Sequence, residues 1–382
     1  MANPFSIGHV LPGEPFCDRK RELEDLKTHA RNSSSVVLFS PRRYGKTSLV
    51  KRVMADMEKK GFVSTYGDFF SVTDKRSFIQ KLALMVTKAT GEAVGSVSWT
   101  DTLKGLFKRI IPSIEIKPEG VSIEIRYDDK VEVPYLIEDI FGGLFRHLSR
   151  KNLQCIMVFD EFQEITRLEE SKAIEGTLRE QMQGFRGLSC FFIGSRRRIL
   201  QDMFTDSRRP FYKLCFPCRL EKISREDLTT YIMEQFSKTG KECSPEIAGH
   251  VYDYVEGHTG YVQKLAHFLW DMTKQRATEA LLRASKEKLL SMESEDFQGV
   301  FAGLTRMEKK LLLALAVEPT DRPFSREYLA GHQLSLGGVQ KNLKSLIDED
   351  IVDSELARTG VYRLTDPLFA KWGVLTDLGE SV

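Results

Sequence analysis

A short glycine-containing turn constrains the fold of this chain more than any other stretch. The apolar run Val36-Val37-Leu38-Phe39 precedes the octet Ser40-Pro41-Arg42-Arg43-Tyr44-Gly45-Lys46-Thr47, and a helical pattern opens at its end. Strand, turn and helix in this order, with Gly-Lys-Thr at the junction, are typical of a phosphate-binding P-loop. The backbone N–H groups of the turn and the positive end of the helix would hold phosphates.

Two side chains of this turn have the chemistry that a nucleoside triphosphate requires. Lys46 would reach the β- and γ-phosphates, and the Thr47 hydroxyl would ligate Mg²⁺. The first position of the pattern G-x-x-x-x-G-K-[ST] is Ser40 instead of glycine, and we expect a small residue to suffice there. The alternative is a chance Gly-Lys-Thr in a surface turn, and the order of the elements argues against it.

Length and composition narrow the class of protein. A chain of 382 residues with 41% hydrophobic residues is expected to form more than one domain, each with a sizeable core. The formal net charge of +2 neither requires nor excludes a polyanionic partner. No apolar run approaches about 18 residues and no signal-like pattern begins the sequence, so we expect a cytoplasmic protein without a membrane segment.

A second buried strand is followed by two carboxylates. Leu153-Gln154-Cys155-Ile156-Met157-Val158-Phe159 has the pattern of a parallel strand covered on both faces, and Asp160-Glu161 come next. Downstream of a P-loop, such a pair predicts that Asp160 holds Mg²⁺ while Glu161 orients and deprotonates the attacking water. A solvated acidic strand end is the alternative.

A third apolar strand, Cys190-Phe191-Phe192-Ile193, ends in Gly194-Ser195. In P-loop ATPases with a catalytic glutamate, a strand of this kind lies between the other two, so that a polar residue at its tip faces the γ-phosphate. Ser195 is therefore a candidate sensor of the γ-phosphate. The alternative is that Gly194-Ser195 only makes the turn.

Basic residues are concentrated after this strand. Positions 195–225 carry nine Lys or Arg residues against three acidic ones. Such a run is usually a solvated face, but phosphate, a neighbouring subunit or nucleic acid would also fit it. We take Arg209 as the candidate arginine finger that reaches the nucleotide of a neighbouring subunit, and one of Arg196, Arg197 or Arg198 as a candidate for contact within the chain.

The pattern of elements predicts three domains. The core would span residues 1–222, with a β-hairpin inserted near 112–127 around Pro118-Glu119-Gly120; a helical lid would span 223–302, and a winged helix-turn-helix 303–382. Helix starts are indicated at Ser224, Ser244 and Thr305. In the lid, His258 follows a glycine and is either a solvated loop histidine or a nucleotide contact.

The C-terminal region shows three helical patterns and then two short strands, at 351–353 and 361–364, which is the order of a winged helix. Its third helix offers only Gln340, Lys341 and Lys344 to a groove. Residues 302–382 carry ten basic and twelve acidic residues, which argues against tight DNA binding. The Cys215-Phe-Pro-Cys218 spacing suits a metal, but no second pair follows nearby, so reduced thiols are favoured.

Together these motifs resemble the archaeal-type ATPase family, in the STAND branch of the AAA+ proteins. Its P-loop usually reads Gly-Pro-Arg-Arg-Tyr/Phe-Gly-Lys-Thr-Ser-Leu, which Pro41 to Leu49 match. Five further segments are similar to family motifs: Phe16…Arg19…Glu22-Leu23, Asp160-Glu161-Phe162-Gln163, Gly194-Ser195, Gly257-His258-Thr259…Tyr261-Val262-Gln263 and Tyr362…Leu364…Asp366-Pro367-Leu368-Phe369…Trp372. Where the family often has Pro-Leu-Tyr-Gly-Arg, this chain has Pro210-Phe211-Tyr212-Lys213-Leu214, so the arginine expected there is missing.

The resemblance implies an α/β P-loop ATPase core, built as a parallel sheet flanked by helices, with a helical lid and a C-terminal winged helix-turn-helix domain. It implies ATP and Mg²⁺ as ligands, with nucleotide held between sheet and lid. Catalytic roles would fall to Lys46, Glu161, Ser195 and Arg209, and Mg²⁺ would bind Thr47 and Asp160. Nucleotide contacts would come from Arg19, Ser40, Pro41, Arg42, Arg43, Tyr44, Gly45, Lys46, Thr47, Ser48 and His258.

The function implied is an ATP-hydrolysing switch whose nucleotide state is relayed to the winged helix. Its turnover could be slow. Two alternatives stay open. One is an ATP-binding, DNA-associated regulator or mobile-element protein that hydrolyses little ATP; the other is a scaffold whose winged helix binds another protein or, weakly, DNA. Self-association is compatible with each of them.

Overall fold

The computed structural model describes residues 2–5, 19–90, 106–117, 120–353, 355–356 and 359–377. Phe16 and the Pro118-Glu119 turn, both named above, lie outside these ranges. The chain divides into two compact units. The sheet unit comprises Lys20–Ser40 and Lys46–Leu220, and the helical unit comprises Met1–Arg19, Pro41–Gly45 and Glu221–Val382.

The sheet unit is built on parallel strands. Within the described residues the strands are β1 (Val36–Phe39), β2 (Val63–Asp68), β3 (Ile111–Lys117), β4 (Gly120–Arg126), β5 (Cys155–Asp160), β6 (Leu188–Gly194) and β7 (Phe216–Arg219). The order β2-β5-β6-β1-β7 forms one five-stranded sheet, in which every pairing is parallel. Strand β6, which precedes the predicted sensor Ser195, therefore lies between β1 and β5, and the predicted fold class is confirmed.

The helices of the sheet unit begin and end at recognisable signals. They are α1 (Lys20–Arg31), α2 (Lys46–Glu58), α3 (Lys75–Ala89), α4 (Val133–Lys151), α5 (Ser171–Gly184) and α6 (Arg197–Thr205), with a 3-10 helix at Phe162–Arg167. Helix α3 starts at Asp74, whose side chain accepts the backbone N–H of Ser77 in a capping box. Helix α4 stops at Asn152, which adopts the left-handed conformation that favours this residue type at helix ends.

Aromatic side chains fill the sheet unit beneath the carboxyl ends of β5 and β6. Phe159 and Phe192 stack with ring centroids 5.0 Å apart, and Phe162 lies 4.7 Å from Phe192. All three are fully buried. Because these rings pack closely, they fix the strand ends that carry Asp160, Glu161 and the predicted sensor.

Strands β3 and β4 pair antiparallel in a separate two-stranded sheet. The chain that leads into this hairpin is fixed to α4 by a buried carboxylate. Asp139 accepts the backbone N–H groups of Lys108 and Arg109 at 2.7–2.9 Å. The hairpin is therefore attached to the sheet unit at its base.

The helical unit contains α7 (Arg225–Lys238), α8 (Pro245–Tyr254), α9 (Thr259–Met272), α10 (Glu279–Gly303), α11 (Arg306–Val317), α12 (Arg326–Gly331), α13 (Leu336–Asp348) and α14 (Pro367–Asp377). The predicted caps are present: Ser224, Ser244 and Thr305 each accept a backbone N–H from the first turn of their helix. One hydrophobic core runs through these helices.

Helices α11, α12 and α13 precede the wing region. The prediction of two short strands at 351–353 and 361–364 is wrong for the residues that the structure describes there, which form isolated bridges instead, Val352 with Leu364 and Thr320 with Tyr362. Val352 and Leu364 are the buried positions of this region, and Gly360 has a positive φ of 91°. A single buried pair, Val352 and Leu364, close to the turn at Gly360 does not provide enough paired residues for a continuous two-stranded ladder.

Candidate nucleotide-binding site

The turn between β1 and α2 has the backbone of a ligand cradle. Arg43 (φ 61°) and Gly45 (φ 84°) both adopt the left-handed conformation. A Cβ placed on Gly45 would meet no atom within 4 Å. Glycine takes up this conformation without steric cost and leaves the space beside it open, which is where backbone N–H groups can receive a phosphate.

Lys46 is buried at the start of α2. Its Nζ donates to the carbonyl oxygen of Ser40 at 2.9 Å and to the Ser40 hydroxyl at 3.2 Å. A buried ammonium needs acceptors, and the serine hydroxyl supplies one that glycine would lack. Ser40 therefore holds the lysine at the loop, and phosphate oxygens would compete with it for the same donors.

Asp160 accepts three hydrogen bonds at the end of β5. Its Oδ2 accepts from Thr47 Oγ1 at 2.8 Å and from the Tyr66 hydroxyl at 2.7 Å, and its Oδ1 accepts from the backbone N–H of Glu161 at 2.9 Å. Burial, and then the charge of Asp160, raises the pKa of Tyr66, so the phenol keeps its proton. The Thr47 hydroxyl and the carboxylate are hard oxygen donors in direct contact, and this donor set fits Mg²⁺.

Glu161 is held at the tip of the same strand in a left-handed backbone conformation, with φ 50°. Its Oε2 accepts from the backbone N–H of Ser195 at 3.1 Å and from the Ser195 hydroxyl at 2.8 Å. It also accepts from Nε2 of Gln163 at 2.6 Å. The carboxyl ends of neighbouring parallel strands meet at one edge of a sheet, so β5 and β6 bring the predicted base and the predicted sensor into contact.

His258 is buried in the helical unit, and the structure gives it two structural partners. Its Nδ1 caps α9 by accepting the backbone N–H of Tyr261 at 3.4 Å. Its ring packs on Tyr44 and Tyr261, with centroids 5.1 Å and 4.4 Å away. Burial, and then the charge of Arg43, lowers the pKa of His258 to about 3, so the ring is neutral at physiological pH.

Arg43 lies in the turn after β1, in the segment that belongs to the helical unit, and its bonds are made within that unit. Nη1 donates to Glu293 Oε2 at 2.8 Å and to the Tyr261 hydroxyl at 3.4 Å. The Tyr261 hydroxyl in turn donates to Asp366 Oδ2 at 2.5 Å. Lys264 also pairs with Glu293. Burial alone would raise the pKa of Glu293, but the bonds from Lys264 and Arg43 lower it overall.

Arg19 lies beside the same loop, where its Nη2 donates to the carbonyl oxygen of Tyr44 at 3.4 Å. It is buried, as is the Tyr44 ring. Arg42 is exposed, while Pro41 and Ser48 are half-buried. Of the residues predicted for nucleotide contact, Arg19 and Tyr44 are thus in direct contact with each other.

Arg209, the candidate finger, is engaged within its own chain. It pairs with Glu175 of α5, with Nε 3.2 Å from Oε2. The Glu175 side chain has no exposed surface and that of Arg209 is 26% exposed. Arg208 pairs with Asp206 at 2.9 Å. A role for Arg209 at a neighbouring subunit would require its buried ion pair to open.

Three residues of this site were not assigned a role from the sequence. Tyr66 lies within β2, and nothing in the local sequence pattern indicated that its hydroxyl would donate to Asp160. Gln163 stands inside the acidic segment that was compared with the family, and its closeness to Glu161 in sequence is the signal that could have found it. Glu293 lies 250 positions from Arg43, and no local pattern connects them.

The sheet order, the P-loop after β1 and the two carboxylates after β5 define a P-loop ATPase. Family comparisons agree with this class. Residues 16–182 match the ATPase domain found predominantly in Archaea, and residues 295–374 match a probable winged helix domain. The chain therefore contains an ATPase domain of the archaeal type, within residues 16–182, and a C-terminal winged helix domain.

Solved structures of low sequence identity share this fold. The Walker-type ATPase PABY2304 of Pyrococcus abyssi gives a TM-score of 0.71 at 14% identity, over 97% of this chain and 99% of that one. The ORC2 protein of Aeropyrum pernix in ADPNP–ADP complexes gives 0.58 at 16% identity, over 99% and 98%. The Aeropyrum pernix ORC1 protein in complex with DNA gives 0.50 at 14% identity, over 96% and 95%. No curated protein matches the sequence.

In the part of the chain that the structure describes, no helix combines the length and apolar character needed to cross a membrane.

Proposed function

We propose that this chain is an ATP-binding and ATP-hydrolysing switch of the STAND type among the AAA+ ATPases. The observation that carries the proposal is the meeting of Thr47, Asp160, Glu161 and Ser195 at the carboxyl ends of two adjacent strands, as the hydrogen bonds among them show. This arrangement joins a metal-binding pair to a general base and a sensor. Lys46 stands at the start of the helix that also carries Thr47.

In the proposed reaction Lys46 exchanges its bonds to Ser40 for bonds to phosphate oxygens and offsets their charge. Thr47 and Asp160 hold Mg²⁺, which neutralises further phosphate charge when it is bound. Glu161 takes a proton from water as the water oxygen attacks the γ-phosphorus. The bond from that phosphorus to the bridging oxygen breaks, and ADP and phosphate leave.

Ser195 suits the sensor role because its hydroxyl has one proton to donate. In this structure that proton goes to Glu161 Oε2. A γ-phosphate oxygen that attracted the hydroxyl would withdraw it from the carboxylate. The proposed sensor therefore reports the presence of the γ-phosphate directly to the base.

A chain of hydrogen bonds supports the proposed coupling to the winged helix. It runs from Arg43 in the P-loop to Tyr261 of α9 and from Tyr261 to Asp366. Asp366 also accepts the backbone N–H groups of Leu368 and Phe369 at 2.9 Å and 3.0 Å, in the first turn of α14. A nucleotide that moved Arg43 would therefore disturb the side chain at which the last described helix begins.

Two substitutions separate binding from hydrolysis. Lys46→Ala should lose ATP affinity in calorimetric titration, because the backbone alone cannot offset the phosphate charge. Glu161→Gln should bind ATP normally and lose turnover, since it keeps the shape and removes the base. Wild-type affinity in Lys46→Ala, or unchanged turnover in Glu161→Gln, would refute the assignment.

The coupling is tested with a matched pair of tyrosines. Tyr261→Phe removes the hydroxyl that bonds Asp366, whereas Tyr254→Phe removes a half-buried hydroxyl for which the described residues provide no hydrogen bond. Hydrogen exchange of Pro367–Asp377 should respond to ATP in wild type and in Tyr254→Phe, and should lose that response in Tyr261→Phe. An equal response in all three proteins would contradict the relay.

A second candidate is a regulator that binds ATP and DNA but hydrolyses little ATP. It is favoured by the two hydrogen bonds that Glu161 Oε2 accepts from Ser195, since a base that kept them when ATP was bound would be less free to act. Filter binding of random duplex at low salt tests it. A dissociation constant below about 1 μM with a steep salt slope, lost on mutation of the exposed Lys341 and Lys344, would support this function.

A further inference from the structure

We infer that Gln163 is a positioning residue for ATP hydrolysis, and that Gly194 provides the space in which it works. The inference rests on the proposed function, because it concerns how the general base Glu161 is held. Gln163 is 1% exposed and lies in the first turn of the 3-10 helix that follows β5. Its Nε2 donates to Glu161 Oε2 at 2.6 Å.

The orientation of the amide follows from its neighbours. Nε2 also lies 3.4 Å from Oε1 of Glu164, so the NH₂ group faces two carboxylates. The reversed orientation would point the amide oxygen at both of them. The amide oxygen Oε1 is buried and has no hydrogen-bond partner. Burying an unpaired acceptor is unfavourable, so the contribution of this side chain lies in its donor group.

Gly194 makes room for this amide. A Cβ on Gly194 would lie 1.9 Å from Gln163 Oε1, closer than any non-bonded contact allows. The backbone of Gly194 is not left-handed, so its conformation does not call for glycine. The space does. Gly194, the last residue of β6, therefore leaves the gap that lets Gln163 donate to Glu161, and Ser195, which follows it, donates to the same carboxylate.

The two donor residues differ in what they can do when ATP binds. Ser195 can turn its hydroxyl to a phosphate oxygen. The NH₂ group of Gln163 is enclosed and has only carboxylates as acceptors. Gln163 therefore keeps its bond to Glu161 Oε2 when the serine leaves, and Oε1 of Glu161, to which no described residue donates, stays available to take the proton of water.

The first test uses Gln163→Leu, which keeps the bulk and removes the donor. We expect kcat to fall by about 10- to 100-fold, part of the roughly 10²- to 10⁴-fold that a general base contributes, with KM for ATP unchanged. Gln183→Leu is the matched control, because Gln183 is exposed on α5. Gly194→Ala should reproduce the loss by displacing the amide. Wild-type kcat in Gln163→Leu, or a lost affinity for ATP in a folded variant, would overturn the inference.

Gln163→Glu gives a signature that a packing role would not produce. A protonated carboxyl at 163 can donate to Glu161 as the amide does, and an ionised one repels it. Activity should therefore be rescued at low pH and should fall by about tenfold per pH unit once the new carboxyl ionises. A pH profile that matches wild type would overturn the inference.

Thermal unfolding without nucleotide separates this inference from the proposed function. Gln163→Leu should destabilise the wild-type chain more than it destabilises Glu161→Gln, because the donor acts on the charge of Glu161. Equal effects in both backgrounds would overturn the inference. A wild-type chain that hydrolyses no ATP would refute the proposed function, and the unfolding comparison would still decide whether Gln163 holds Glu161.

Discussion

His258→Asn tests whether a neutral, buried histidine makes the helical unit sensitive to acid. The side chain is 3% exposed, and its pKa is lowered from 6.5 to about 3. Asparagine is also a favoured N-cap residue. The substitution therefore keeps an acceptor for the start of α9 and removes the titrating group.

The magnitude follows from the two pKa values. Below pH 6.5 the unfolded chain binds a proton at this histidine that the folded chain does not, so the free energy of unfolding falls as pH falls. With a folded pKa of about 3, lowering the pH from 7 to 5 should cost about 2 kcal/mol of stability through this residue alone. The loss continues with decreasing pH until the folded state also takes up the proton.

Urea unfolding at pH 7 and pH 5, followed by tryptophan fluorescence, measures this difference. Trp270 and Trp372 are both buried in the helical unit and report on it. Between pH 7 and pH 5, the free energy of unfolding should fall by about 2 kcal/mol less in His258→Asn than in wild type. Equal pH dependence in wild type and His258→Asn would refute the reasoning.

Three further predictions follow from single contacts. Tyr66→Phe removes a donor to Asp160 and should raise the Mg²⁺ concentration for half-maximal turnover by about tenfold; an unchanged requirement would contradict this. Arg209→Met leaves Glu175 buried without its cation and should cost about 3 kcal/mol in urea unfolding, most of which Arg209→Met/Glu175→Met should recover. Gly45→Ala forces a Cβ into left-handed backbone facing the open side of the loop, and calorimetry should show weakened ATP binding with the fold retained.

The sequence predicted the centre of the sheet well because central parallel strands are buried on both faces. Such strands appear as unbroken apolar runs, as at β1, β5 and β6. The edges were harder. Strand β7 contains Pro217 and is largely exposed, so it lacks the apolar run of a central strand. Its Cys-Phe-Pro-Cys stretch was therefore interpreted from the spacing of the cysteines alone. Proline is tolerated in β7 because it is an edge strand.

Strand β2 shows a different limit. The strand runs from Val63 through Gly67 to Asp68. Glycine and aspartate are poor strand formers. Glycine is nevertheless suited to position 67, because a Cβ there would lie 2.3 Å from the Met85 sulfur of α3. Tertiary packing decides this position, and a local pattern cannot report it.

Within the candidate site, local motifs gave the residues on the strand ends, and the fold gave their partners. Lys46, Thr47, Asp160 and Glu161 follow from strand–turn order, since parallel strands place their carboxyl ends along one edge. The partner of Arg43 could not be predicted. The motif suggests a nucleotide contact for this arginine, whereas its guanidinium bonds Glu293, which is 250 residues away.

The bonds of Arg43 also limit how strongly it can act on the winged helix. Its side chain is 45% exposed, so releasing it from Glu293 costs about 1 kcal/mol, and Glu293 would keep Lys264 as its partner. Moving a two-state equilibrium from 1:99 to 99:1 requires about 5.5 kcal/mol. In the proposed mechanism, Arg43 alone would therefore bias the winged helix without switching it completely. A full switch in the proposed mechanism would need further nucleotide-dependent contributions, and the exchanges proposed for Lys46, between Ser40 and phosphate, and for Ser195, between Glu161 and a γ-phosphate, are two that this site could provide.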